Sequence, residues 1–482
     1  MNRILFLYCT IFVTSLVCNA WGQNSENRTA GEVILENKTY KTKSGKSGKY
    51  QVGTLFVKEN RSDPNSRIIG LGFSIHKAKD PVGPAVFFLP GGPGSSFLSG
   101  NFPFLAEQLW DDCDVICVDQ RGFSRRGSFL KNIEFKTREF SADATLDDRV
   151  KEYVRYANAV VEHYRSTEID LRGYNALECI EDVNELRIAL GYEKIALRGQ
   201  SFGSQWSFGI IRKYPEIVER ALLTGVEPLN NAYDMPSHVM AAVHRIWESL
   251  DKDPRFQPYL PEGGMKEAAE AVISRMENDP IKVFRKKKSD PVIILGPTDF
   301  PYNNPRRILE LYHNHLDSFA RPRFSGVASR TLVGPLIDSS LGVTDMRKEK
   351  LWNDPAVRFT SRANFASYLA TADIWPSPDV GDEFRTPIKC ETPVVFVNGD
   401  WDVKTPVENM LEIAPYFPNS HSIIVHQAGH GTLHPKMQEQ HPKLIDQLKT
   451  FLIEGKMDGL PKDLTVESFK RFPPPQFELE KK

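Results

Sequence analysis

The feature that most restricts the fold of this chain is the sequence Gly-Gln-Ser-Phe-Gly at residues 199–203. It lies between an apolar strand pattern at 194–197 and a helical pattern at 204–214. Glycines two residues before and two after Ser201 allow a turn so tight that the serine hydroxyl stands clear of a sheet. The helix that follows directs its positive end at this hydroxyl and favours negative charge there. The pattern predicts a nucleophile elbow with Ser201 at its tip; the alternative is an ordinary glycine-rich turn.

Strand and helix patterns alternate around this segment. Short apolar runs bounded by turn residues occur at 85–89, 114–118, 194–197, 221–224, 393–397 and 422–425. Apolar residues at helical spacing occur at 175–190, 204–214, 239–250, 308–318 and 442–453. Short apolar strands separated by helices favour a mostly parallel α/β sheet that is buried on both faces and flanked by helices.

A glycine-rich segment, Pro-Gly-Gly-Pro-Gly-Ser-Ser at residues 90–96, follows the strand pattern at 85–89. It has neither the lysine of a phosphate-binding P-loop nor the spacing of a dinucleotide-binding loop. Glycines let the chain bring bare backbone N–H groups close to a substrate oxygen, which is what an oxyanion hole requires. We therefore predict an oxyanion hole formed by the N–H groups of Gly92 and Phe202, with Gly91 as the alternative to Gly92.

Candidates for a general base and its orienting acid follow the last two strand patterns. His430 lies between two glycines after the last strand pattern, and Asp400 and Asp402 follow the strand pattern before it. The order Ser, Asp, His along the chain is that expected of an α/β-hydrolase. We predict that His430 accepts the proton of Ser201 and that an aspartate holds the tautomer of the imidazole. Asp400 competes with Asp402 for this second role.

The histidines near the C-terminal end also allow a metal-site interpretation. His426, His430 and His434 are spaced by four residues, a spacing that on a helix suggests metal ligands. Gly429 and Gly431 argue against a helix at this position. We therefore predict no metal site, and a purely structural histidine is the remaining alternative for His430.

Five short motifs form a set along the chain. They are Pro-Gly-Gly-Pro-Gly at 90–94, Asp-Gln-Arg-Gly at 119–122, Gly-Gln-Ser-Phe-Gly at 199–203, Gly-x-x-Asp at 399–402 and Gly-His-Gly at 429–431. The set resembles the proline iminopeptidase and tripeptidyl aminopeptidase branch of the α/β-hydrolases, over residues 50–227 and 386–455. The resemblance implies hydrolysis of short peptides from their N-terminus without a metal or cofactor, and it selects Asp402 over Asp400.

The chain departs from the family pattern in two places. Pro90 stands where the family usually has histidine, and Phe-Ser-Arg-Arg at 123–126 replaces a usual Gly-x-Ser. These departures affect loops that would face the substrate, and they change none of the three predicted triad residues. The same triad would serve an esterase or lipase-like hydrolase, which is the alternative function. A non-catalytic binding protein on this fold is the third hypothesis, and a complete triad argues against it.

The order of the motifs predicts how the chain is divided. Ser201 precedes a long stretch without resemblance, whereas Asp402 and His430 follow it, and all three have to meet. We therefore predict one catalytic domain that is split by a largely helical cap between its sixth and seventh core strands. The predicted parts are a signal peptide at 1–22, a loose lead-in at 23–48, the catalytic domain at 50–227 and 386–456, the cap at 228–385 and an irregular tail at 457–482.

An aminopeptidase has to bind a cationic α-amino group, so carboxylates are expected beneath the cap. Glu227, at the end of the sixth core strand, is the substrate-binding candidate. Glu248 and Glu262 are alternatives within the cap. For each of them the other interpretation is a surface or structural acid.

The N-terminus has the features of a secretory signal peptide. Arg3 is followed by an uncharged run at 4–17, which is shorter than a bilayer-spanning helix. We predict export after removal of residues 1–22, and the alternative is a lipid anchor on Cys18. The cysteines that remain, either in two disulfides or as free thiols, are Cys113, Cys117, Cys179 and Cys390.

The charge balance restricts the partners of this chain. It has 61 basic and 62 acidic residues and a formal net charge of −1. A chain so close to neutral offers no electrostatic argument for binding nucleic acid or an acidic membrane surface. The expected partner is a small peptide or peptide-like substrate, and the sequence does not indicate the oligomeric state.

Overall fold

The computed structural model describes residues 28–41, 45, 47–98, 103–124, 126–138, 145–283, 293–316, 331–467 and 472–478. The predicted signal peptide and Cys18 lie outside these residues. No helix within the described ranges combines the length and the apolar character that crossing a membrane requires.

A ten-stranded sheet forms the centre of the described part of the chain. The strands, numbered in chain order, are β1 (Val33–Lys41), β2 (Ser47–Lys58), β3 (Ile68–His76), β4 (Ala85–Leu89), β5 (Val115–Val118), β6 (Ile195–Gln200), β7 (Val218–Thr224), β8 (Ile281–Val283), β9 (Ile293–Leu295), β10 (Val394–Gly399), β11 (Ser420–His426) and β12 (Asp463–Thr465). The order across the sheet is β1-β2-β3-β5-β4-β6-β7-β10-β11-β12, and β8 pairs with β9 in a separate hairpin.

Strand direction divides this sheet into two parts. The neighbouring pairs from β5 through β12 are parallel, whereas β1, β2, β3 and β5 pair in antiparallel fashion. In β4 and β5 every residue is buried. Phe87 packs into the hydrophobic cluster on one face of the sheet, and Phe88 packs into the cluster on the other face. The prediction of a mostly parallel sheet whose central strands are buried on both faces is thus confirmed.

Helices cover both faces of the sheet. Those outside the long connection between β7 and β10 are α1 (Ala106–Leu109), α2 (Leu146–Arg165), α3 (Ala176–Ala189), α4 (Phe202–Lys213), α13 (Val407–Ile413), α14 (Pro435–Gln440) and α15 (Pro442–Glu454). Those within it are α5 (Pro236–Leu250), α6 (Gly264–Asn278), α7 (Pro305–Tyr312), α8 (Val333–Leu341), α9 (Asp345–Asn353), α10 (Val357–Thr360), α11 (Ala363–Thr371) and α12 (Asp382–Arg385).

Two predictions about the ends of the chain are wrong. The lead-in predicted at 23–48 contains β1 and the beginning of β2, and the tail predicted from 457 contains β12. Both β1 and β12 are edge strands, held on one side only by backbone hydrogen bonds to β2 and β11. Most residues of β1 are exposed or half-buried, so the strand needs no apolar pattern.

The connection between β7 and β10, residues 225–393, is called the insert below. Its two ends are neighbours in the sheet, because Ala221 of β7 pairs with Val394 of β10. The insert also packs on the loop that follows β10: Arg245 donates to the Asp400 carbonyl oxygen at 2.9 Å, and Trp401 belongs to the hydrophobic cluster of the insert. The insert is therefore attached to the segment that carries Asp400 and Asp402.

The four described cysteines are free thiols: Cys113, Cys117, Cys179 and Cys390. The first three are buried. Burial raises the pKa of Cys113 to about 11 and that of Cys117 to about 12, because a thiolate loses its hydration there. Of the two alternatives left open by the sequence, the structure has the free thiols.

Candidate active site

The turn at Ser201 joins β6 directly to α4. Ser201 has φ 57° and ψ −130°, a conformation that is costly for a residue with a side chain. Its backbone N–H donates to the Thr224 carbonyl oxygen at 3.0 Å. A Cβ atom on Gly203 would lie 2.1 Å from the Leu89 carbonyl oxygen, so only glycine fits there. The strained turn has the geometry of the predicted nucleophile elbow.

The predicted base and acid lie next to each other. The Nδ1 atom of His430 is 2.9 Å from Oδ2 of Asp402 and 3.2 Å from Oδ1. Asp402 is completely buried, whereas the His430 side chain is 28% exposed. With Nδ1 engaged by the carboxylate, the other ring nitrogen stays available to a nucleophile, as a triad requires.

The elbow and the histidine meet at Gly225, directly after β7. A Cβ atom built on Gly225 would lie 3.3 Å from Cε1 of His430 and 3.4 Å from the backbone nitrogen of Ser201. The absence of a side chain here lets the two loops approach each other. The structure thus brings Ser201, His430 and Asp402 together at the carboxyl edge of the parallel strands, where ligands bind in open α/β sheets.

Thr405 is a residue of this site that the sequence analysis missed. Its hydroxyl donates to Oδ2 of Asp402 at 2.7 Å and lies 3.1 Å from Nδ1 of His430. The backbone N–H groups of Lys404 and Thr405 donate to Oδ1 of Asp402 at 2.9 and 3.1 Å. The Thr-Pro pair after the aspartate, at 405–406, was the available signal.

Asp400, the competing acid, is bonded to a different histidine. Its carboxylate lies 2.8 Å from Nδ1 of His426 and accepts a hydrogen bond from the Gln427 N–H at 2.8 Å. His434 caps α14 instead. The histidines spaced by four therefore lie on a strand end, a loop and a helix cap, and share no helix face. Within the described ranges, no group of three or more His, Cys, Asp or Glu residues is arranged to hold a metal ion.

The glycine-rich loop after β4 lies against the elbow. A Cβ atom on Gly91 would be 3.1 Å from Cβ and 3.5 Å from Oγ of Ser201, and Gly92 follows with φ 115°. Phe202 is the first residue of α4, so its N–H has no partner within the helix. The structure thus has Phe202 and the alternative donor Gly91 beside Ser201, and the predicted donor Gly92 is the next residue of the same loop.

Glu227 belongs to a set of three carboxylates, called the acidic cluster below, with Asp234 and Asp338. Burial raises the pKa of Glu227 well above its usual range, and the charges of Asp234, Asp338 and Asp402 raise it further. Burial, followed by the charge of Asp402, raises the pKa of Asp234 to about 7, and burial raises the pKa of Asp338 to about 7. Glu227 and Asp234 of the cluster therefore lie within electrostatic reach of Asp402.

A cavity of about 360 Å³ lies between the insert and the loop after β10. Asp234 and Asp338 line it together with Tyr233, Phe365, Tyr368 and Lys404. Glu248 and Glu262, the other two predicted carboxylates, are exposed on the surface. Sequence spacing could not find Asp234 and Asp338, because the folding of the insert alone brings them to this cavity.

Two family models match the chain. A model described as alpha/beta hydrolase fold matches residues 84–256, and one described as TAP-like protein matches residues 356–463. The two matched ranges contain Ser201 in the first and Asp402 and His430 in the second.

Two curated proteins and one solved structure illustrate the similarity. The putative hydrolase YuaR of Escherichia coli is 22% identical over 193 residues, 40% of this chain and 38% of that protein. The serine protease Hip1 of Mycobacterium bovis is 26% identical over 188 residues, 36% of each chain. A thermophilic esterase from Thermogutta terrifontis is 16% identical, with 83% of this chain and 97% of that chain covered and a TM-score of 0.35.

The curated relatives are matched over little more than a third of their own length. The first family model spans β4 to β7 and the elbow, which are the elements that define this architecture. Together with the strand order around them, it identifies the chain as a protein of the α/β-hydrolase fold.

Proposed function

We propose that this chain is a serine hydrolase that releases short units from the amino end of peptides. Ser201 attacks the scissile carbonyl carbon, while His430 takes the serine proton and then gives it to the leaving amine. Asp402 orients the imidazole and stabilises its protonated form. The N–H groups of Gly92 and Phe202 stabilise the oxyanion of the tetrahedral intermediate, and water releases the acyl group.

The acidic cluster beside the triad is the observation that carries the peptidase assignment. A free α-amino group is a cation at neutral pH, and carboxylates in a partly dehydrated cavity attract it more strongly than they would in water. An uncharged ester would gain nothing from these carboxylates. Because the triad itself serves amides and esters alike, the cluster is what favours an aminopeptidase over the esterase alternative.

The comparisons support the same assignment. One matching family model is described as TAP-like protein, and the mycobacterial relative is named a serine protease. The proposal includes a short peptide as the substrate and export through residues 1–22.

A fluorophosphonate probe tests the nucleophile. The wild-type chain should be labelled, and Ser201→Ala should not. Ser207→Ala is the matched control, because Ser207 is a buried serine on the same helix whose hydroxyl donates to the Gly203 carbonyl oxygen at 2.7 Å. Equal labelling of the wild type and Ser201→Ala would contradict the assignment.

A substrate series tests the peptidase assignment. Peptide amides with a free amine should be hydrolysed with a kcat/KM about 10- to 100-fold higher than their N-acetylated forms, which corresponds to the loss of one charge-assisted contact. Asp338→Asn should reduce this preference, whereas Glu248→Gln, an exposed carboxylate of the insert, should not. Equal kcat/KM for the free-amine and N-acetylated forms of the same substrate would contradict the aminopeptidase assignment and favour the esterase instead.

A further inference from the structure

Gln120 bridges the glycine-rich loop that lies against Ser201. Its Nε2 atom donates to the carbonyl oxygens of Gly91 at 2.8 Å and Pro90 at 3.2 Å. Its Oε1 atom accepts a hydrogen bond from the N–H of Gly94 at 2.5 Å. One fully buried side chain thus holds both ends of residues 90–94. We infer that Gln120 is the positioning residue of the oxyanion hole; the inference depends on the proposed serine hydrolase chemistry.

Only an amide side chain of this length can make these contacts. The loop presents two carbonyl oxygens and one N–H to the same point, so the partner has to donate and accept at once. An ionised glutamate has no hydrogen to donate, and a methionine of similar shape can do neither. The chemistry of the loop backbone therefore requires glutamine at position 120.

Asp119 and Arg121, the two residues that flank Gln120 in the sequence, are themselves held by side-chain contacts. The Asp119 carboxylate accepts a hydrogen bond from the Ser124 hydroxyl at 2.7 Å. Arg121 is buried and forms a two-pronged contact with Asp182 of α3, with Nε–Oδ2 at 2.8 Å and Nη2–Oδ1 at 2.5 Å. With both neighbours fixed, the amide of Gln120 has little freedom, as the support of a preorganised site requires.

The glycine-rich loop depends on such external support. Gly92 and Gly94 adopt φ values of 115° and 94°, and glycine leaves the backbone more conformational freedom than any other residue. An oxyanion hole works only if its N–H groups already point to where the negative charge develops. Loss of Gln120 should therefore destabilise the transition state and leave ground-state binding nearly unchanged.

The reaction of the full chain with a fluorophosphonate tests this inference without a choice of peptide substrate. In this reaction the Ser201 Oγ–P bond forms, fluoride leaves and the serine proton passes to His430. The phosphonyl oxygen occupies the oxyanion hole. For Gln120→Met we expect kinact to fall about 10- to 100-fold, a part of what loss of a whole oxyanion donor costs. KI should change by less than about threefold.

Asn175→Leu provides the matched control. Asn175 is also a buried amide that bridges backbone groups: its Oδ1 accepts from the Glu178 N–H at 2.9 Å and its Nδ2 donates to the Arg172 carbonyl oxygen at 2.7 Å. It lies at the start of α3, outside the proposed site. Its replacement should lower Tm as Gln120→Met does, with kinact unchanged.

Gln120→Asn guards against a folding defect, because it keeps an uncharged amide at this buried position and only shortens the side chain by one methylene, which withdraws the amide from the loop. Its kinact should also fall, with Tm closer to the wild type than that of Gln120→Met. If both folded Gln120 variants react as fast as Asn175→Leu, the positioning role is wrong. Loss of labelling in Ser201→Ala tests the nucleophile separately, so this failure would leave the proposed function intact.

Discussion

At the scale of single residues, Thr405 connects Asp402 and His430, the predicted acid and base. Its hydroxyl donates to Asp402 and also lies within hydrogen-bonding distance of His430. Together with two backbone N–H groups it fixes the plane of a fully buried carboxylate. A rotated carboxylate would turn the imidazole away from Ser201, so in the proposed mechanism Thr405 acts on the triad through Asp402.

Thr405→Val should lower kcat/KM about 10-fold, since one hydrogen bond to a buried charge is worth about 1.5 kcal/mol. Thr405→Ser keeps the hydroxyl and should retain most of the activity. Hydrolysis of a free-amine peptide amide by the two variants measures the effect. Equal activity of Thr405→Val and the wild type would show that the carboxylate needs no such support.

Asp234 and Asp338 should make substrate affinity depend on pH. Their pKa values are raised to about 7 by burial, so they are largely protonated at pH 6 and ionised above neutrality. The positive charge of Arg347 near Asp234 opposes this rise in pKa and favours ionisation. KM for free-amine peptides should fall as pH rises through 7 and rise again as the substrate α-amino group loses its proton, near a pKa of about 8.

KM measured for free-amine and N-acetylated substrates at closely spaced pH values checks this prediction. The acetylated substrate should show no fall through pH 7, because it has no cation to recognise. Asp338→Asn should flatten the curve of the free-amine substrate. The same pH dependence of KM for both substrates would show that the acidic cluster does not bind the substrate amine.

The same carboxylates should reduce the stability of the free protein at alkaline pH. The pKa of Asp338 rises from 3.8 to about 7 on folding, so the folded chain binds more protons than the unfolded chain between these values. The free energy of unfolding therefore decreases as pH rises through this range. Asp338→Asn should be more stable than the wild type at pH 8 by at least about 1 kcal/mol, with a smaller difference at pH 4.

Urea unfolding at the two pH values measures this difference. Glu248→Gln, on the exposed side of α5, is the matched control and should leave the stability unchanged at both. A stability gain of Asp338→Asn that is equal at pH 4 and pH 8 would point to packing instead of charge.

At the scale of elements, the sequence predicts best the apolar strands of the parallel part of the sheet and the helices next to them, whereas β2, β3 and α2 went unrecognised. The apolar runs at 393–397 and 442–453 correspond to β10 and α15, because these elements face the core. The polar strand β1 went unrecognised, since its stability comes from pairing with β2 and not from a buried face. The helical pattern at 308–318 fails differently: α7 ends at Tyr312, and Asn314 turns the chain with φ 56°.

The candidate site shows a similar difference between residues that local sequence predicts and residues that distant contacts bring into place. The elbow and the loop that carries His430 are short local sequences. Their glycines and the strand patterns that precede them predict their conformation. The roles proposed for Gln120, Asp234 and Asp338 depend on contacts with segments far away in the chain. Such contacts leave no spacing that a single sequence can display, so only the folded chain reveals them.

The segment at 472–478 links the C-terminal region to the insert. Phe477 packs on Tyr259 and stacks on His315 of the insert, with ring centroids 5.2 and 4.5 Å apart. Phe472 contacts Trp401, with ring centroids 6.1 Å apart, directly beside Asp402. The two aromatic residues thus contact the same cluster at different distances from the triad.

Phe472→Ala and Phe477→Ala should therefore separate stability from activity. Each should lower the free energy of unfolding by about 1–3 kcal/mol, because a half-buried aromatic ring is removed. Only Phe472→Ala should also lower kcat/KM, since it loosens Trp401. Urea unfolding and peptide hydrolysis of both variants check this, and an equal loss of activity in both would contradict it.

At the scale of the whole molecule, the insert separates the residues of the candidate active site along the chain and leaves the order of the sheet intact. Ser201 precedes the insert, whereas Asp402 and His430 follow it. Because β7 and β10 are adjacent strands, the insert begins and ends at neighbouring positions. The entropy of closing a long loop grows only slowly with its length, so an insert of this size is compatible with a stable core. The net charge of −1 agrees with substrate selection by local carboxylates and not by a long-range field.

The reactivity of the buried thiols can report on local unfolding of the protein. Cys113, Cys117 and Cys179 lie in the core as free thiols, and burial holds the pKa of Cys113 and Cys117 far above neutrality. Alkylating reagents attack thiolates, so these residues react only when the surrounding structure opens. Modification of these three residues by iodoacetamide over time, measured separately from that of the half-buried Cys390, would then follow local unfolding around β5 and α3. The same property allows the folded protein to be kept in reducing buffers, where no covalent cross-link among the described cysteines is at risk.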